Sequence, residues 1–518
     1  MRKIIHQHFG LIAVTLFCAF CLLKAIDFPI HDFSNYYFGG QFLVERTFNS
    51  DTYFPYLFNK QIADLGYSGI FANYAPNTPF LALFFAPFSI LSVATAKLVF
   101  NIISVLLFVL SIYRLSQFYK IKTVSIVFVP LLFFVPIKNE LLFGQVYFVL
   151  FFFLTEFWIA YQKEQFLKSA FFLGLAILLK VFPVVLLMIF LFKKEFKPLV
   201  YTFAFCLLFF GISALLTGFD VWLFWLNSVL PKASNGEIAS AYVDNYQSVF
   251  MFLKRLFIYD NVENPHPFFH DDSLFLSIVF TFKIAIVLLG YFITNNKSNA
   301  LIVFCYWVLA TILLSPYGST YTFILLIFPF LAIVKSEISA VKKGMYFFIL
   351  FAINNLPLSI FIDKSFPISY LRLFLLIAFA IVFIILFFQK ASIIKTCGFS
   401  LILLISCSFL WETKPQKSNS FFSAKTPVLI YDYQIKNKEL TYHFWSEKGE
   451  NQKSVQLSQS DCVLLQIKNN QIFYNKKQLT FDNSNKLKPI LINGKTVVYL
   501  SDYGKGIGFY SLRKITMH

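Results

Sequence analysis

Runs of roughly twenty uncharged, mostly apolar residues recur along this chain, each long enough to cross the hydrocarbon layer of a bilayer as a helix. Apolar side chains make up 58% of the 518 residues and charged ones only 14%, more apolar surface than a water-soluble core can hide. Phenylalanine alone contributes 71 residues, bulk that suits lipid contact and tight helix packing. The composition therefore predicts an all-α polytopic membrane protein.

The first run, Phe9 to Ile26, follows basic residues and has no small-x-small cleavage site after it, so it reads as an uncleaved anchor. Of the net charge of +18, much lies in short connections: Arg114 to Lys122, Lys163 to Lys168, Lys193 to Lys197 and Lys335 to Lys343. The positive-inside rule makes these loops and the amino terminus cytoplasmic. The basic balance is thus spent on orientation. No basic stripe with interleaved aromatics lies outside the membrane, and nucleic acid is excluded as a partner. Six of the seven cysteines fall in apolar runs and Cys462 stands alone, which gives neither a disulfide framework nor zinc spacing.

With the amino terminus inside, Asp27 to Asn77 forms an external loop. The stretch 78–113 reads as one crossing plus a partly inserted segment, and spans follow at about 123–137 and 144–161. The stretch 169–192 is interrupted by Lys180 and Pro183 and predicts a broken, re-entrant hairpin. A crossing at 198–217 leads to a second external loop, Gly218 to Asp272. Six more spans fit at about 273–293, 300–315, 319–335, 344–361, 368–388 and 396–411. That reading has about 11 crossings plus re-entrant segments and an external carboxyl-terminal side. After Trp411 the composition turns to Lys, Asn, Gln and Ser, and runs such as Val428 to Tyr431 and Thr496 to Leu500 predict short strands. The expected domains are 1–411, helical and membrane-embedded, and 412–518, a small extracytoplasmic β domain with turns at Asn469-Asn470, Asn483 to Asn485 and Asn493-Gly494. Nothing in the latter gathers acids, histidines or a nucleophile.

Chemistry-bearing residues cluster in the external loops. His31-Asp32 and Tyr36 place a carboxylate among aromatics just past the first span, where Asp32 can act as general base, with Asp27 in reserve. Both acids equally suit a helix end at the polar interface. Tyr74 to Pro79 is a loop ending in prolines, ordinary at helix starts. Gly144-Gln145-Val146 marks an outer turn. Lys180 in its apolar run either snorkels or meets an anion, and a lipid phosphate is the anion at hand. Asp244 to Phe250, with Gln247, precedes Lys254-Arg255, where Arg255 can clamp a phosphate bidentately or rest on anionic headgroups. Ser315-Pro316 to Tyr321 is a tight turn between spans.

Taken in order, these segments resemble glycosyltransferase family 87, the polyprenol-phosphate-dependent mannosyltransferase-like group of the GT-C superfamily. The resemblance covers about residues 10 to 335. It implies a GT-C-like fold and transfer of a mannose-like hexose from a polyprenyl-phosphate donor to a hydroxyl of a glycan or glycolipid acceptor. It further implies a bacterial inner-membrane location, inversion in one displacement, Asp32 as base, Lys180 and Arg255 on the donor phosphate, and substrate contacts from Tyr36, Tyr74, Gln145, Gln247 and Tyr321. Two positions depart from the pattern: Ala75 stands where Pro is frequent, and Tyr321-Thr322 where histidines occur. No Asp-x-Asp pair occurs in the external loops, so no metal and no cofactor are expected. The rival readings are a transporter of lipid-linked sugars, which predicts ionisable residues deep in several spans, and a polymerase or ligase using the same donors.

Overall fold

The structure is a computed structural model that describes residues 2–243, 245–295, 299–388, 390–407, 418–423, 429–446, 448–457 and 462–517. Asp244, Val428, the end of the expected 396–411 span and the expected domain boundary at 411/412 lie outside the described residues. Helices fill the chain as far as Cys407 and strands begin at Asn419.

Among the described residues, five helices are long and apolar enough to cross a membrane: Phe9–Ile26, within helix α1 (Arg2–Ile26), and Val93–Tyr119, Phe196–Thr217, Asp272–Asn295 and Ile368–Phe387. A sixth span arises if Thr123–Leu132 and Phe134–Phe143, bent by 66° at Phe133, count as one. The expectation of eleven crossings is not met by eleven long helices. The remaining apolar stretches, among them Tyr147–Gln162, Ala300–Leu314 and Thr320–Lys335, run to 10–17 residues. Prolines and single polar residues cut them short, and several are buried on all sides: nearly every residue of Ala300–Leu314 is shielded by neighbouring helices. The break at Phe133 also corrects the 123–137 boundary, since the helix resumes as far as Phe143.

One end of the bundle gathers the basic loops. Glu156, buried in Tyr147–Gln162, binds Arg114 near the end of one helix and Lys168 in the first turn of another, the latter at 3.1 Å. Nearby, Tyr161 donates to Glu195 at 2.7 Å, and Lys193 donates to Tyr161 at 3.2 Å. The 166–193 stretch leaves this end and returns to it, because Phe166 and Phe190 both pack on the Tyr161 ring. It is a hairpin with Lys180 at its far tip, between the helix Phe166–Leu179 and a 3₁₀ turn at Phe182–Leu186. Close helix approach demands a glycine at one point: a Cβ on Gly10 would lie 2.0 Å from the Thr123 carbonyl oxygen.

At the opposite end, helix α2 (Phe33–Val44) and short helices up to Ile90 form a cap. The β region packs on that cap. It contains a five-stranded antiparallel sheet, a three-stranded meander (Leu429–Lys436, Glu439–Ser446, Gly449–Gln456) and a small three-stranded sheet. Asn469-Asn470 and Asn493-Gly494 turn with positive φ at both positions, as two-residue hairpins require. Asn437-Lys438 and Asn475-Lys476 do the same, although the sequence announces them less plainly. Thr496–Ser501 is a central strand. Tyr431 stacks on Tyr56 of the cap at 3.9 Å.

Candidate active site

Asp32 precedes the first turn of α2, yet its side chain makes no capping bond to that helix. One carboxylate oxygen, Oδ2, instead accepts from Gln145 Nε2 at 2.6 Å, and the other lies 3.1 Å from His31 Nδ1. The Gln145 carbonyl oxygen in turn accepts from the Tyr36 hydroxyl at 2.5 Å. Three residues from two distant motifs thus form one hydrogen-bonded chain. Its inner end is sealed, with Tyr36 at 2% exposure, while the Asp32 side chain remains 31% exposed. A carboxylate so placed is held in orientation and still reachable from outside.

Local backbone rules explain how Gln145 gets there. The helix Phe134–Phe143 ends on Gly144 at φ +65°, where a Cβ would sit 2.8 Å from the Phe33 Cβ. Only glycine allows both the left-handed turn and this approach to α2. Gln145 then donates its backbone N–H to the Glu140 carbonyl, which directs its side chain toward Asp32.

Lys180 joins the group from the hairpin tip. Its Nζ donates to Asn77 Oδ1 at 3.2 Å and lies 5.5 Å from the Tyr36 ring centre and 6.0 Å from that of Tyr147. The Asn77-Thr78 segment is fastened to the same tip, since the Thr78 hydroxyl donates to the Leu178 carbonyl at 2.6 Å. Tyr321 packs on Tyr147 with ring centres 5.1 Å apart. Tyr246 faces the same space: burial, reinforced by the nearby Asp32 carboxylate, pushes its phenol up to about 12. Burial likewise raises the Tyr36 phenol well above its ordinary range, again with Asp32 adding to the effect.

The structure does not bring every expected residue here. Asp27 is exposed at the end of the first span. Tyr74 is fully buried, fills the space left by Gly39, and donates its hydroxyl to the Thr78 carbonyl, so it packs the cap. Gln247 is buried and donates to the Ser369 carbonyl at 3.0 Å, while Ser248 donates to the Pro316 carbonyl at 2.7 Å. The Gln-Ser stretch and the Ser-Pro turn therefore hold each other. Arg255, expected on the donor phosphate with Lys180, lies with its guanidinium 5.3 Å from the Tyr242 ring centre. Lys180 is joined instead to Asn77 and the tyrosines.

Sequence reasoning passes over Glu140. This acid is 1% exposed, accepts from the Phe148 backbone N–H at 2.9 Å, and lies near enough to Lys180 to interact with it electrostatically. A carboxylate following Lys138-Asn139 inside the otherwise apolar stretch Phe134–Phe143 is the signal that points to it. His31, whose ring stacks on Phe143 at 4.5 Å, closes the outer side of Asp32.

Residues 75–316 match the model of glycosyltransferase family 87, the family that the order of motifs resembles. The matched stretch contains Gln145, Lys180, Gln247 and Arg255, whereas Asp32, Tyr36, Tyr74 and Tyr321 lie outside it. No curated protein and no solved structure matches the chain. The family match supports glycosyltransferase activity in a membrane-embedded chain.

Proposed function

We propose that this chain, which matches glycosyltransferase family 87 over residues 75–316, moves a mannose-like hexose from a polyprenyl-phosphate donor to an acceptor hydroxyl at the outer face of a bacterial inner membrane. The observation that carries the reading is the Asp32–Gln145–Tyr36 chain beside Lys180. In the proposed step, Asp32 takes the proton of the acceptor hydroxyl as that oxygen attacks the anomeric carbon. The bond from that carbon to the phosphate oxygen breaks, its electron pair leaves with the phosphate, and the configuration inverts. Gln145 holds the carboxylate oxygen that does not receive the proton. Lys180 supplies positive charge for the departing phosphate, without Arg255, and no metal or cofactor takes part. Acids outside the membrane and one cation at the tip of a hairpin suit a reaction at a surface. A glycan or glycolipid acceptor would approach from the exposed side of Asp32.

Glu140 is the observation that favours a second reading, transport of lipid-linked sugars, because a buried carboxylate among apolar helices is what ion coupling uses. A polymerase or ligase would share the base and differ in the acceptor.

The test is transfer of radiolabelled sugar from polyprenyl-phosphate donors to endogenous acceptors in membranes with matched expression. A positioned general base contributes about 10²–10⁴-fold, so Asp32→Asn should lower transfer by that factor while Asp27→Asn leaves it unchanged. Full transfer by Asp32→Asn would overturn the mechanism. Donor movement across the bilayer without any labelled product would favour the transporter.

A further inference from the structure

The sequence suggests no chemistry for the β region, yet one of its loops is built into the helical part. Ile507 is 2% exposed and belongs to the main hydrophobic core, which the cap shares with the membrane helices, not to the cores of the sheets. Its neighbour Gly506 donates its N–H to the Ile238 carbonyl at 2.7 Å. Gly508, at φ +71°, lies so close to the cap that a Cβ would stand 2.9 Å from the Phe54 ring and 3.1 Å from Pro55. Phe509 is fully buried and faces Phe71.

Charge fixes the base of this loop. Asp502 is fully buried, and its carboxylate accepts from the Asn485 N–H at 2.8 Å, the Asn485 amide at 2.9 Å and the Gly508 N–H at 3.2 Å. Lys232 of the helical part donates to that carboxylate at 3.1 Å, to the Lys505 carbonyl at 3.1 Å and to Glu237 at 3.2 Å. Such a buried carboxylate costs energy unless it is fully hydrogen-bonded, so the loop has one well-defined conformation.

The loop borders the segment that carries Asn77. Gly506 and Ile507 line a small cleft together with Asn73, Ala75 and Pro76. That segment is otherwise held by the cap, by Trp225 and by the site: the Tyr53 hydroxyl donates to the Asn77 carbonyl at 3.2 Å, Trp225 donates to the Pro76 carbonyl at 3.2 Å, the Asn73 N–H donates to Asn35 of α2 at 2.7 Å, and Asn77 Oδ1 receives Lys180. We infer that the Asp502–Phe509 loop is a positioning element of the transfer site, acting through Asn77 on Lys180. The inference rests on the transferase reading. It gives the β region a role in catalysis and makes the transfer site a joint product of both parts of the chain.

The experiment uses the full chain in liposomes containing a polyprenyl-phosphate-hexose donor and compares two glycine substitutions. Gly494→Ala places an alanine at φ +63° in a distal turn with open space around it, so it imposes backbone strain alone. Gly508→Ala adds the collision with Phe54 and pushes the loop off the cap. The expected result is a fall of about ten-fold or more in kcat for Gly508→Ala and none for Gly494→Ala. In an Asn77→Ala background, Gly508→Ala should cost nothing further, because the connection it breaks is already lost. If Gly508→Ala fails to accumulate, Ile507→Ala replaces it, with Ile507→Val expected to restore activity. Equal activity of Gly508→Ala and Gly494→Ala, or full additivity with Asn77→Ala, would overturn the inference. Asp32→Asn in the same liposomes separates the two claims: wild-type transfer by that variant sinks the transferase mechanism and not the loop's coupling to Asn77.

Discussion

Replacing Gln145 by leucine tests the hydrogen-bonded chain at its middle. The substitution keeps similar volume but removes both the donor to Asp32 and the acceptor for Tyr36. The two losses differ in kind. Asp32 is 31% exposed, so water can replace the lost amide, whereas Tyr36 at 2% exposure keeps a hydroxyl with nowhere to donate. A buried polar group stripped of its partner costs roughly 1–3 kcal/mol, so Gln145→Leu should destabilise the protein by about that amount, most of it from Tyr36. Removing the hydroxyl as well should return much of it. The double-mutant cycle of Gln145→Leu with Tyr36→Phe is expected to show a coupling of about 1–2 kcal/mol in chemical unfolding from mixed micelles. Transfer should behave differently. With Asp32 no longer oriented, Gln145→Leu should lose about ten-fold in rate, and adding Tyr36→Phe should not restore it, since stability and orientation depend on different halves of the glutamine. Additive stability costs, or rescue of transfer by Tyr36→Phe, would refute the reasoning.

Three further outcomes are expected. Gly144→Ala should cost more stability than Gly69→Ala, because both have positive φ but only Gly144 has Phe33 in the way; equal thermal shifts would contradict this. Glu156→Gln leaves Arg114 and Lys168 without their shared carboxylate; as both cations are more than a third exposed, the loss should be about 1–2 kcal/mol by unfolding, below that of a fully buried pair. Burial holds the Lys254 ammonium down from 10.5 to about 8, against the pull of Glu237 and Asp260. Between those values the unfolded chain binds the extra proton, so stability should rise with pH from about 8 to 10.5 and stay flat below 8 on this account. Lys254→Met should remove that rise, and identical pH profiles for the two proteins would refute it.

Much of this was legible in the residues, for identifiable reasons. A lysine in an apolar run is costly wherever it ends up, so Lys180 stands out without any structure, whereas Glu140, beside Lys138 and Asn139, is passed over. What the sequence does not reveal is pairing. Gln145 and Asp32 are 113 positions apart, and their contact depends on a left-handed glycine and the tilt of two helices. Residue type does not reveal placement: Tyr74 fills the gap over Gly39, and Arg255 lies over Tyr242. The crossing count is hard to read because broken stretches such as 123–143 and 166–193 are individually too short for hydropathy to separate a span from a hairpin arm. Asn469-Asn470 and Asn493-Gly494 were plain because Asn and Gly most readily take two consecutive positive φ values, whereas Asn483 to Asn485 turns without one.

The burial of Ile507 against the cap and the 229–238 segment has a consequence for biogenesis. This side chain is synthesised after every helix whose core it completes, and it must be delivered to the same side as α2. While the helices are being made, the apolar recess near Pro76 has to wait uncovered until the strands have been made and folded. Assembly at this end of the molecule thus finishes with the last strands, and a delay in folding them would leave a complete helical bundle with that recess open.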